Sequence, residues 1–169
     1  MDTTWDSAAS RLTALAAILL RRWKQRIPAF GCQAIELEPL FMLMPVNPPP
    51  ELVKFLCAVT PVASVHLRVF SLLSPTDLVE YQIDSAPICG NNQFGLMGLG
   101  YWTGRSDGDA WIYDLRTAKI HSLDIGSGDQ DSLEGVLEGC YLQFHSFGEW
   151  VGYVVSDAVR RGWLSESDV

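Results

Sequence analysis

The sequence predicts a single α+β domain spanning residues 1–169, a mostly antiparallel or mixed sheet wrapped by N- and C-terminal helices. Three observations carry that expectation. Apolar residues recur at 3- and 4-residue steps near both ends of the chain, and alternate in short runs between them. No internal repeat, heptad or low-complexity tract interrupts the pattern. A length of 169 residues suits one domain with a core and is too short for two ordinary ones.

Residues 1–30 read as an amphipathic helix. Leu12, Leu15, Ala16, Leu19 and Trp23 share one face, and Thr3 or Thr4 can cap the start. Asp6 falls in the first turn and Arg21, Arg22, Lys24 and Arg26 at the end, each where the helix macrodipole favours its charge. The apolar run Leu12–Leu20 is too short to span a bilayer. Its basic cluster follows it, whereas a signal peptide places positive charge ahead of the apolar stretch. A cytoplasmic protein is therefore expected.

Ile27-Pro28 and Gly31 break the helix. Residues 35–46 read equally as a short strand or a broken helix, with Pro39 and Pro45 as interruptions. Pro48-Pro49-Pro50 leads into a helix over Glu51–Ala58, with Leu52, Phe55 and Leu56 on one face and Pro61 as the stop. Val65–Leu72 alternates and predicts one half-buried strand; Ser74-Pro75 opens a short helical turn through Tyr81. Residues 84–93 form a loop, and Phe94–Trp102 a glycine-interrupted central strand. Ala110–Leu115 and Lys119–Ile125 predict a hairpin across a turn at Arg116–Ala118. An acidic stretch over Gly126–Gly139 with room for a short helix precedes a final strand over Cys140–Phe144. Ser146 and Glu149 then form a capping box, opening a helix to about Arg160 whose face carries Phe147, Trp150, Val151, Val154, Val155 and Ala158.

Hydrophobic residues make up 48% and charged residues 19%, which excludes intrinsic disorder. The net charge of −8 disfavours nucleic acid and anionic lipid, so neither a nucleic-acid nor a membrane partner is expected. Residues 1–30 carry a charge of +3, residues 31–104 −4 and residues 105–169 −7, making the C-terminal part the acidic pole. Cys32, Cys57, Cys89 and Cys140 are too far apart for a Cys-x-x-Cys motif, and four buried free thiols are expected.

Ser106-Asp107-Gly108-Asp109-Ala110-Trp111-Ile112-Tyr113-Asp114-Leu115, followed by Lys119-Ile120-His121-Ser122-Leu123, resembles the SUKH superfamily. That group includes fungal cell-wall-synthesis regulators and bacterial toxin-immunity proteins. Ser146-Phe147-x-x-Trp150-Val151 is similar to its closing helix, and Pro49-Pro50-Glu51-Leu52-Val53-Lys54-Phe55-Leu56 to its upstream helix. The resemblance covers about residues 35–157. Ser106 stands where the first turn glycine is usual, and Pro48 replaces a leucine. The resemblance implies an α+β sheet wrapped by helices, no cofactor and a protein-binding role.

Asp107, Asp109 and Asp114 could in principle hold a metal ion or supply acid–base catalysis, but Asp107-Gly108-Asp109 is foremost turn chemistry. Asp124, Asp129, Asp131, Glu134 and Glu138 crowd the next loop, which fails the calcium-loop template: Leu133 stands at its fifth position and Cys140 at its twelfth. His66, His121 and His145 lack zinc-ligand spacing, and no nucleophile or phosphate-loop motif is present. The expected protein is non-catalytic, with no metal site. Its partner-binding candidates are Asp107, Asp109, Asp124, Asp129, Asp131 and Glu134, and its expected partner is a basic protein such as a toxin domain. A housekeeping scaffold or regulator on the same fold is the alternative. A metal-dependent hydrolase using Asp107, Asp109 and Asp114 comes third.

Overall fold

A computed structural model describes residues 4–67, 70–84, 92–101, 110–124 and 131–168. Among them the chain order is α1 (Trp5–Arg22), α2 (Ala34–Phe41), α3 (Pro50–Val59), β1 (Val65–His66), β2 (Ser71–Leu72) and α4 (Pro75–Asp84). There follow β3 (Leu96–Tyr101), β4 (Ala110–Asp114), β5 (Lys119–Leu123), α5 (Leu133–Glu138), β6 (Cys140–Phe144) and α6 (Phe147–Arg160). The fold is α+β, with both sheets antiparallel. The larger runs β3-β4-β5-β6 and the smaller is the β1–β2 pair.

Helix α1 follows its apolar periodicity: Leu12, Leu15, Ala16 and Leu19 are buried against α3 and α6. Trp23 ends the helix and is only partly buried. Its last-turn Arg22 has a tertiary task as well, donating to the Trp163 carbonyl at 2.6 Å and to Asp168 at 2.9 Å. Of the two readings open for residues 35–46, the helix is right. Glu36 accepts the Gln33 N–H at 2.7 Å, tying down the start of α2, and the short helix tolerates Pro39 inside it. Pro50 occupies the first position of α3, where its missing N–H costs nothing.

Two expectations change in the middle of the chain. Where one strand over residues 65–72 was expected, two short strands, β1 and β2, pair antiparallel; Leu67 N–H reaches the Phe70 carbonyl at 2.8 Å. The apolar phase shifts between Val69 and Phe70, from Val65, Leu67 and Val69 to Phe70 and Leu72, a break that the reading as one strand passed over. Strand β3 is an edge strand of the larger sheet, whereas a central one was expected. It is nevertheless buried, because α4 lies along it. There the Gln82 amide imitates a neighbouring strand, donating to the Leu96 carbonyl at 3.1 Å and accepting the Gly98 N–H at 2.9 Å. A Cβ at Gly100 (φ +145°) would stand 2.4 Å from the Ser71 carbonyl oxygen, so only glycine allows β3 to approach β2 so closely.

The predicted β4–β5 hairpin forms, from Ala110↔Leu123 to Asp114↔Lys119, with Ala118 in the left-handed region at φ 56°. Trp111, Tyr113, Ile120 and Phe144 share the sheet face that α6 covers, where Trp150 meets Trp111 at 5.8 Å between ring centroids. Phe147 stacks between Phe55 of α3 (4.0 Å) and Tyr113 of β4 (5.7 Å), fastening the start of α6 to both layers. The expected box at Ser146 is present with one difference. Ser146 Oγ accepts the Glu149 N–H at 3.2 Å, while Glu149 reaches one residue further back, to the His145 N–H at 2.7 Å.

The thiols are less secluded than expected. Cys32, Cys57 and Cys140 are free and half-buried; Cys89 lies outside the described residues. Burial pushes the Cys32 and Cys140 thiols up to about 11.

Candidate functional site

Asp107, Asp109 and Asp129 lie outside the described residues. The other three candidates belong to the connection from β5 to β6. Asp124 follows β5, is partly buried and donates its N–H to the Gly139 carbonyl at 3.2 Å, which draws the two ends of the connection together. Asp131 and Glu134 are exposed on either side of Ser132, whose Oγ accepts the Gly135 N–H at 3.1 Å and caps α5. The cap therefore holds two carboxylates in solvent at one end of the sheet.

Asp114 has a different task. Its carboxylate accepts from the Arg116 N–H (2.9 Å), Nε (3.1 Å) and Nη2 (2.9 Å) and from the Thr117 hydroxyl (2.9 Å). Burial works to raise its pKa, but these hydrogen bonds and the Arg116 charge outweigh it and hold the carboxyl below its ordinary value. With its oxygens engaged in the β4–β5 turn, Asp114 is a structural acid and is withdrawn from the proposed Asp107/Asp109/Asp114 trio. Among the described residues, no three His, Cys, Asp or Glu side chains converge as a metal site.

His121 lies on β5, 6% exposed, and its Nε2 has no hydrogen-bond partner among the described residues. Burial lowers its pKa, the Lys119 and Arg116 charges add to that effect and Asp114 opposes it. His121 is thus a neutral core histidine beside Cys140 and Gln143 at a pocket of about 200 Å³.

A larger concavity lies where sequence reasoning placed no site. The first turns of α1, α3 and α6 and the β4–β5 hairpin enclose a cavity of about 400 Å³, lined by Trp5, Asp6, Glu51, Tyr113, His145 and Phe147 among others. Hydrogen bonds from the Thr4 hydroxyl and the Ser7 N–H (2.9 Å) hold Asp6 below the usual carboxylate range. Burial raises the Tyr113 phenol, and the negative charges of Glu51 and Asp114 raise it further. The signal in the sequence was the acid in the first turns of α1 and α3; Asp6 was read there only as macrodipole pairing, and Glu51 was given no role.

Comparison with known proteins yields no relative: no family model matches the chain, and neither a curated protein nor a solved structure matches it. No helix among the described residues is long and apolar enough to cross a membrane.

Proposed function

We propose that this chain is a non-catalytic protein-binding module, most concretely an immunity protein that binds a basic toxin domain and covers its active site. The observation that carries this reading is the disposition of the acidic residues. Asp114 accepts four hydrogen bonds within its own turn, and Asp131 and Glu134 are exposed beside the Ser132 cap of α5. Fixed exposed carboxylates steer a basic partner and fix its register without performing chemistry. The mechanism is occlusion: the acidic connection approaches a basic cleft and denies it to substrate. The resemblance to the SUKH superfamily motivates the word immunity.

The test is association kinetics with the purified toxin domain encoded beside this chain's gene. Reversing Asp129 and Asp131 to Lys changes the local charge by about four units, and solvated substitutions shift folding by only about ±0.5 kcal/mol. Association slows in the double variant, and the parent's on-rate falls as salt shortens the Debye length below about 8 Å. On-rates that ignore both changes refute electrostatic docking. Selective recovery of a resident cellular complex, with no toxin binding, moves the assignment to a housekeeping scaffold.

A further inference from the structure

The cavity between the three helix starts has the lining of a cation receptor. Trp5 and Tyr113 supply aromatic walls, and Asp6 and Glu51 supply negative charge. Tyr113 is held rigidly, stacked on Phe147, which itself stacks on Phe55. Its side chain lines the cavity and is only 4% exposed. A tyrosine hydroxyl at a cavity wall can both donate to and accept from a group that enters.

The sign of the occupant follows from where the backbone donors go. Helix N-termini attract anions through unsatisfied N–H groups. Here Pro49 and Pro50 contribute no N–H at the start of α3. The Ser7 N–H is spent on Asp6, the His145 N–H on Glu149 and the Glu149 N–H on Ser146. The lining also carries the Asp6 and Glu51 carboxylates, the Tyr113 phenol, the Trp5 ring and the His145 side chain. The Lys54 ammonium, 5.9 Å from the Trp5 ring centroid, shows that this indole already carries a cation at its exposed side.

We propose that this cavity receives an arginine or lysine side chain of the protein partner, its cationic head between Glu51, the Tyr113 hydroxyl and the Trp5 ring. The identity of the occupant rests on the reading of a basic partner given above; the affinity for an organic cation rests on the cavity alone.

The experiment titrates the full chain with acetyl-Gly-Arg-Gly-amide, with the same tripeptide carrying neutral citrulline, and with free arginine. Binding is followed by NMR at the Trp5 indole N–H. The arginine peptide produces saturable shifts and the citrulline peptide does not. Glu51→Gln, at an exposed position, weakens binding about threefold or more, and Tyr113→Phe about twofold to fivefold. Lys54→Gln removes the resident cation and tightens it. Equal binding of the citrulline peptide, or no shift at Trp5 up to tens of millimolar, overturns the site. Binding of free arginine while the arginine peptide stays unbound overturns the partner side chain as its occupant. If the arginine peptide binds while the toxin domain does not, the functional proposal fails and the cation site stands.

Discussion

Trp150 offers the sharpest test of how this core is held. Its ring is 3% exposed and meets Trp111 edge-on at 5.8 Å and Phe55 at 6.0 Å, so it links α6 to both the sheet and α3. Its indole nitrogen is buried with no hydrogen-bond partner among the described residues. Two substitutions separate these properties. Trp150→Ala removes the ring and leaves a cavity, which costs about 3–5 kcal/mol. Trp150→Phe keeps an aromatic ring against its neighbours and deletes the orphaned donor. Relief of an unsatisfied buried N–H returns about 1–3 kcal/mol, which offsets most of the lost packing. The net cost of the Phe variant is therefore about 1 kcal/mol, leaving a gap of roughly 2–4 kcal/mol between the variants. Urea unfolding with unchanged slope measures both, and a chain of this size loses about 2–4 °C of Tm per kcal/mol. A Phe variant as unstable as the Ala variant refutes the orphaned-donor account. An Ala variant melting within 2 °C of the parent, on the scale of roughly half a kcal/mol, removes Trp150 from the core altogether.

Other parts of the fold give independent checks. Gln82→Leu orphans the Leu96 carbonyl and the Gly98 N–H at the buried edge of β3, and costs roughly 2–4 kcal/mol by the same urea assay; a loss under about 0.5 kcal/mol contradicts its role as a substitute strand. His121 makes stability pH-dependent. The unfolded imidazole binds a proton near pH 6.5 while burial keeps the folded one neutral, so stability falls as pH drops below about 6.5, and His121→Gln flattens that slope between pH 7 and 5. An identical slope in the variant rules the histidine out as its source. Ser146→Ala removes the acceptor for the Glu149 N–H and lowers stability by about 0.5–2 kcal/mol; no change in the midpoint dismisses this cap.

Much of the architecture was legible before any coordinates. Helices α1, α3 and α6 follow from local information, because apolar periodicity and terminal residues act within a few positions of one another. The β4–β5 hairpin did so too, its strands being joined by only four residues. Helix α2 stayed ambiguous because Pro39 argues against helix and the apolar run suits either element. The β1–β2 pairing was missed because Val65–Leu72 was read as one alternating run, although its apolar phase shifts between Val69 and Phe70. The site divides along similar lines: the acidity of the β5–β6 connection is plain in the composition, but the engagement of Asp114 needed the geometry of its turn.

Sequence by itself thus determined helices α1, α3 and α6 and the β4–β5 hairpin, and that Asp6 compensates the start of α1. Tertiary structure alone decided that β3 lies at an edge, closed by Gln82, and that the starts of α1, α3 and α6 meet around Tyr113. Asp6 and Glu51 are 45 residues apart, and each answers the field of its own helix over a single turn. That local pairing contains no term for the other helix. Only the packing of α1 against α3 and α6, driven by burial of their apolar faces, brings the two carboxylates to one cavity.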